Sequence, residues 1–406
     1  RFSDFHASNG EWRVEKQRLK WDVLESFADA AVESGIEKVS DFNTGDNAGV
    51  GYFDVNQKSG WRWNTAKAFL RPVRSRSNLT VWTEAQVERL TCIKNDNGEA
   101  TCTGVNVNRN GNSIYVVANK EVILSAGAIG SPQILQLSGI GPADILKEHG
   151  IEIIKDAPGV GANLQDHLQI RAVFKVKGTK TMNILANSLL GKAMIGLEYL
   201  FKRTGPMSMA PSQLGAFTRS DVGQKHANLE YHVQPLSLES FGEDLHDFPA
   251  MTVSVCNLNP TSRGAVRIRS TDFRDAPKIS PNYLDTIEDR KIAGDSLRQV
   301  REIMAQPAMQ KYKPEEYKPG IQYRTDEELA KLAGDIANTI FHPVGTVKMG
   351  ADTDKMAVLD PHLRVRGVAG LRVVDASVMP TITSGNTNSP TLMIAEKAAA
   401  WILNEK

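Results

Sequence analysis

Cysteine is scarce: three in 406 residues, at positions 92, 102 and 256. That is too few for a disulfide framework, and their spacing matches no metal-ligand pattern. Excess charge is also missing. Forty-eight basic residues face 47 acidic ones, interspersed, with no basic stripe for nucleic acid and no polybasic tail. No apolar run reaches the ~18 residues of a membrane span. The nearest, residues 183–201, is interrupted by Asn187, Gly191, Lys192 and Glu198. Its spacing predicts an amphipathic helix with a core or lid role, or else a face for a membrane surface. The complete Gly-x-Gly-x-x-Gly loop of dinucleotide sites is absent as well. Gly159-Val160-Gly161 comes nearest, but it lacks the third glycine and a preceding strand in register. There is neither an initiator Met nor a signal-peptide pattern at Arg1.

What remains is a globular composition, 41% hydrophobic and 23% charged, able to bury a large core. Helical spacing over 23–34 stops at Gly35. Segments 79–92 and 102–107 read as strands joined through Asp96-Asn97-Gly98, with 113–118 as a third. Cys92 and Cys102 flank that turn and face each other across it if the loop is three residues long; reduced thiols are the expected state. A short apolar strand, 121–125, enters Ala126-Gly127-Ala128-Ile129-Gly130-Ser131-Pro132 and a helix over 133–137. Residues 169–340 differ in texture. Alternating strands (229–233, 251–257, 265–269) mix with helices (287–305, 326–333), as in an α+β unit with an antiparallel sheet. After Met349 the strand, turn, helix pattern returns. The expected architecture is α/β plus α+β. One discontinuous domain (1–168 and 350–406) receives an inserted domain (169–349).

Three segments carry chemistry. Gly127 follows a strand and Pro132 suits a first helical turn, so exposed N–H groups there can hold a phosphate or ribityl oxygen. A plain tight connection explains the same residues. His342 stands before Pro343 in extended backbone. Val344, Gly345 and Thr346 leave room beside its ring, and an imidazole is the natural base for an alcohol proton near neutrality. A structural histidine is the plainer alternative. Asp375 ends the apolar strand 371–374, where ligands of α/β folds gather; a turn-capping carboxylate fits equally. Asn386 and Asn388 precede a helix expected over 391–403, beginning near Pro390, and one of them reads as a cap. Asp166 and His167 read as structural.

Taken together, these residues resemble the glucose-methanol-choline (GMC) flavoprotein oxidoreductases. The glycine segment from Gly127 to Gly141 matches that family's second signature. His342-Pro343-Val344-Gly345-Thr346-Val347-Lys348-Met349-Gly350 is similar to the choline dehydrogenase and aliphatic alcohol dehydrogenase branch. The likeness extends through Gly49-Val50-Gly51-Tyr52-Phe53, Ser262-Arg263-Gly264 and Pro281-Asn282-Tyr283-Leu284. It implies FAD as cofactor and a GMC fold, with an inserted substrate domain on a partial Rossmann-like FAD domain. The implied reaction is oxidation of a primary alcohol to an aldehyde, with proton abstraction and hydride transfer to flavin N5. It makes His342 the catalytic base and Asn386 its partner. Asn388 and Pro390 then lie at the flavin, Asp375 and Ala376 at the ribityl-pyrophosphate region, and the Val87 backbone at the adenine. The helix after Asn388 would direct its positive end at the flavin pyrimidine.

Gln213 stands where choline-oxidising members carry an acidic residue, which favours a neutral alcohol over choline. The electron acceptor stays open among oxygen, a quinone and a cytochrome. So does location, cytoplasmic or peripheral at a bacterial inner membrane. The family's dinucleotide loop and first signature have no counterpart in these residues, so the chain is expected to correspond to the portion of such an enzyme C-terminal to both. On that reading the 406-residue polypeptide alone retains little FAD; stoichiometric flavin absorbance after purification would contradict it. A non-redox FAD-containing lyase of the same fold and a truncated non-catalytic fragment remain as other readings.

Overall fold

The computed structural model describes residues 3–240 and 242–405; Arg1, Phe2, Phe241 and Lys406 lie outside them. Its contacts group the chain into two compact units. One holds residues 1–81, 168–257 and 290–338; the other holds 82–167, 258–289 and 339–406. These boundaries differ from the expected ones at three places. Residues 258–289, expected in the inserted domain, fall in the second unit. Residues 1–81 fall in the first unit because Gly49–Tyr52 pairs antiparallel with Leu214–Thr218. His342 falls in the second unit rather than at the end of the inserted one.

In the first unit the described residues form a seven-stranded sheet. Its path runs Gly49–Tyr52, Leu214–Thr218, Leu229–Gln234, Ala250–Asn257, Leu168–Lys175, Glu315–Lys318, and Ala337–Thr339 also pairs with Leu168–Lys175. The register places Leu229, Tyr231, Val233, Val253, Val255, Ile170 and Ala172 on one face, all buried. Period-two alternation then puts Gln169, Arg171, Glu230, His232, Ser254 and Cys256 on the other, where they are buried too. Burying that polar face requires pairing. His232 Nε2 lies 3.4 Å from Glu230 Oε1. With the Cys256 sulfur, their donor atoms fall within 4.8 Å of one another, a grouping that cysteine spacing alone does not reveal.

The segment 183–201 divides into Met182–Ala186 and Leu189–Lys202. Ser188 starts the second helix, its side chain accepting from Gly191 N at 2.9 Å. No residue of Leu189–Lys202 is buried. Core packing, one of the two expected roles, is therefore not what this helix does.

The second unit is built on parallel pairing of Val122–Leu124 with Leu371–Val373, flanked by the helices Gly127–Leu137 and Asn388–Asn404. Beside them Val368–Ala369, Ala100–Arg109 and Ala85–Lys94 form a sheet, with Asn112–Val117 also on Ala100–Arg109. Leu135, Ile140, Val160, Val347, Leu359, Val373 and Val378 fill one core. Cys92 and Cys102 face each other in the register of the hairpin, both as free thiols. Hydrogen bonding to Cys102, then burial, pushes the Cys92 thiol above its ordinary value.

Candidate active site

The two parallel strands end side by side, so the turns at their ends meet. Gly127 opens its helix at φ +79°, with open space where a Cβ would stand. Its N–H donates to Asp375 Oδ2 at 2.9 Å, and the Ser131 hydroxyl donates to the same oxygen at 2.6 Å. Asp375 Oδ1 accepts from Ser377 N at 2.8 Å. The carboxylate thus ties both strand-to-helix turns together, which the turn-capping reading of the sequence anticipates.

The helix here runs Gly127–Leu137, longer than the 133–137 expected, and it contains Pro132. Proline has no N–H, so the Ala128 carbonyl four residues earlier loses its helical donor. The buried Thr346 hydroxyl takes that place, donating to Ala128 O at 2.6 Å. Thr346→Val is accordingly expected to cost about 1–3 kcal/mol, because a buried carbonyl is left unsatisfied. Urea unfolding of the two proteins checks this, and an unchanged midpoint contradicts it.

Thr346 belongs to the loop that carries His342. Residues 163–167 run antiparallel to that loop. Gln165 N donates to Val344 O at 3.1 Å, and Val344 N returns the bond to Gln165 O at 2.9 Å. Gly345, at φ +89°, has Asn163 O only 2.7 Å from where a Cβ would lie. Gly345 therefore admits a neighbouring backbone. The Asn163 amide donates to Gly345 O and Pro380 O at 3.0 and 3.1 Å, and Gln165 Oε1 accepts from Ile382 N at 3.2 Å. The loop of His342 and the turn leading to Asn386 are thereby gripped by one segment.

Continuing the Gln165–Val344 register by two residues sets His167 opposite His342. Their Nδ1 atoms are 3.0 Å apart and the rings meet edge to face at 77°. His167 is fully buried, and its Nε2 lies 3.2 Å from Leu258 O. His342 is half-buried, and its Nε2 lies 3.5 Å from the Asn386 side-chain nitrogen. The His342 backbone N–H donates to Asp166 Oδ1 at 2.9 Å, while Asp166 Oδ2 accepts from the Thr339 and Tyr283 hydroxyls. Burial, and after it the Asp166 charge, raises the Tyr283 phenol above its ordinary value, so it stays a donor.

Asp166 and His167, read from sequence as structural, thus touch the residue of greatest chemical interest. No local signal marks them; only the antiparallel register does. Of the other expected residues, Asn386 and Asn388 are both exposed. The helix begins at Asn388, three residues before the expected 391, so Asn388 and Pro390 sit in its first turn. Val87 lies on Ala85–Lys94, an edge strand with a bulge between Val87 and Arg89. Gln213 belongs to the first unit, fully buried, its amide donating to Ala210 O at 2.9 Å.

These features suit a flavin dinucleotide. The helix at Asn388 has no side-chain cap, so its first N–H groups keep their partial positive charge for an anionic group. Ser377 Oγ, next to Ala376, is buried with no hydrogen-bond partner among the described residues. Val87 lies on an edge strand, whose outer side has no strand partner among the described residues.

Comparison with known proteins agrees with this geometry. The family model described as GMC oxidoreductase matches residues 5–169 in its N-terminal part and 260–395 in its C-terminal part. An alcohol dehydrogenase (acceptor) of Pseudomonas putida is 38% identical over 99% of this chain, which spans 72% of that protein. An oxygen-dependent choline dehydrogenase of Photobacterium profundum is 40% identical over 94% of this chain, which spans 66% of it. Among solved structures, pyridoxine 4-oxidase from Mesorbium loti superposes with a TM-score of 0.85 at 27% identity, covering 99% of this chain and 74% of that one.

Proposed function

Because the chain belongs to the GMC oxidoreductase family, we propose that it oxidises a primary alcohol to an aldehyde as an FAD-dependent dehydrogenase. The observation that carries this is the imidazole of His342, held by backbone on one side and facing the Asn386 amide with Nε2. His342 Nε2 takes the hydroxyl proton. The Asn386 amide donates to the oxygen as it gains negative charge and keeps the carbinol carbon in place. Asp166 fixes the His342 backbone, so the ring cannot drift from the alcohol. Asn388, Pro390, the Asp375-Ala376 turn and the Val87 backbone would hold FAD, which would supply the hydride acceptor when bound. Incubating the FAD-loaded enzyme with a medium-chain primary alcohol and an acceptor dye should give one aldehyde per two-electron reduction. No aldehyde from any alcohol would leave the lyase reading.

The substrate is a neutral alcohol. Gln213 supplies an amide, and a neutral amide offsets a buried cation poorly. We expect kcat/KM for a medium-chain primary alcohol to exceed that for choline; the reverse order contradicts this.

The enzyme also meets a membrane surface. No helix among the described residues is long and apolar enough to cross a membrane. Leu189–Lys202 instead exposes Leu189 (87%), Leu190 (73%) and Phe201 (78%), with the exposed Lys192 and Lys202 on the same helix. Apolar side chains beside lysines fit an interfacial helix on anionic lipid. Anionic vesicles should co-sediment the enzyme, and Leu190→Glu with Phe201→Glu should release it. Equal sedimentation of wild type and variant would contradict this assignment.

A further inference from the structure

We infer that His167 is a positioning residue that holds His342 in its Nδ1–H tautomer and so makes Nε2 the atom that accepts the substrate proton. This rests on the reading of His342 as the base. The protons are fixed from the far end of the pair. The Leu258 carbonyl can only accept, so His167 Nε2, 3.2 Å away, carries a hydrogen. Full burial favours the neutral ring, which has one N–H, so His167 Nδ1 presents its lone pair. The facing nitrogen, His342 Nδ1 at 3.0 Å, must then be the donor. A neutral His342 protonated at Nδ1 keeps its lone pair on Nε2, the side on which the Asn386 amide lies at 3.5 Å. Reversing either tautomer would set two N–H groups, or two lone pairs, against each other.

The arrangement also acts after proton transfer. Once Nε2 has taken the proton, His342 is cationic and its Nδ1–H donor is charged. A charge-assisted bond is roughly twice as strong as a neutral one, so His167 supports the protonated state more than the neutral one. The backbone enforces the pairing. The Gln165–Val344 bridge sets the register, and the bond from His342 N to neighbouring Asp166 keeps the two rings together. Partners that orient metal-ligating imidazoles change affinity or activity by about 10–100-fold when removed, and an effect of that order is expected for this oriented imidazole.

The test is the ring-nitrogen NMR spectrum of 15N-histidine-labelled enzyme, with His342 assigned by its disappearance in His342→Gln. The expected wild-type pattern is a protonated Nδ1 and a bare Nε2. His167→Phe, which removes the acceptor, should average the two His342 nitrogens toward a tautomer mixture. It should also lower kcat by about 10–100-fold with little change in KM. His167→Asn, whose side-chain oxygen can accept from His342 Nδ1, should restore both the tautomer and most of kcat. A proton on His342 Nε2 in the wild type overturns the proposal, as does an unaltered tautomer in His167→Phe. If the Phe variant does not fold, the wild-type spectrum decides by itself. Failure of the underlying reading looks different: His342→Ala would keep its kcat whatever the tautomer.

Discussion

Replacing His342 with alanine is expected to lower kcat by a factor on the order of 10² or more, without unfolding the enzyme. Two functions leave with the ring: the proton acceptor and the group whose Nε2 faces Asn386. Little of the scaffold leaves. The contact of residue 342 with Asp166 runs through its backbone N–H, which alanine retains. The loop is fixed two residues further on, by the paired bonds between Val344 and Gln165. Steady-state kinetics beside a thermal melt separates the two effects. An unchanged kcat would place the base elsewhere.

Asp166→Ala should have the largest effect on stability. One carboxylate accepts from the His342 N–H and from the hydroxyls of Thr339 and Tyr283. Removing it leaves three donors without their acceptor at a buried position. Hydrogen bonds to charged groups are worth about 1.5–3 kcal/mol each and are not additive, so the total loss should be on the order of 3 kcal/mol or more. Asp166→Asn should recover part of this, since its single oxygen can serve the His342 N–H while the hydroxyls reorient. Denaturant unfolding measures both variants. A loss in Asp166→Ala within about 0.5 kcal/mol, as for an ordinary surface change, would show that the three bonds do not hold the loop.

Much of this molecule is legible in its sequence because the decisive signals are local. Alternation marks Leu229–Gln234 and Ala250–Asn257 as strands within a residue at each end, and helical spacing finds Asp22–Glu33 and Ile287–Met304. The resemblance places His342, Asn386 and the Gly127 turn in one neighbourhood, and the contacts put all three in the second unit. What escapes is non-local. His167 meets His342 across 175 residues, through a register that no periodicity encodes. Thr346 completes a helix that Pro132 interrupts 214 positions earlier in the chain. The assignment of residues 1–81 to the first unit hangs on strand pairing with Leu214–Thr218. Apolar spacing suggests an amphipathic segment over 183–201, but only the folded chain shows that Leu189 and Phe201 stay exposed.

We propose that His342 deprotonates an alcohol for oxidation by bound FAD. Rapid anaerobic mixing of the enzyme, reconstituted with added FAD, with a primary alcohol tests this directly, following the flavin absorbance in wild type and in His342→Ala. Wild-type flavin should bleach promptly with one aldehyde formed per flavin reduced, and bleaching in the variant should slow by a factor on the order of 10² or more. Flavin that stays oxidised with every alcohol, or two proteins bleaching at equal rates, would contradict it.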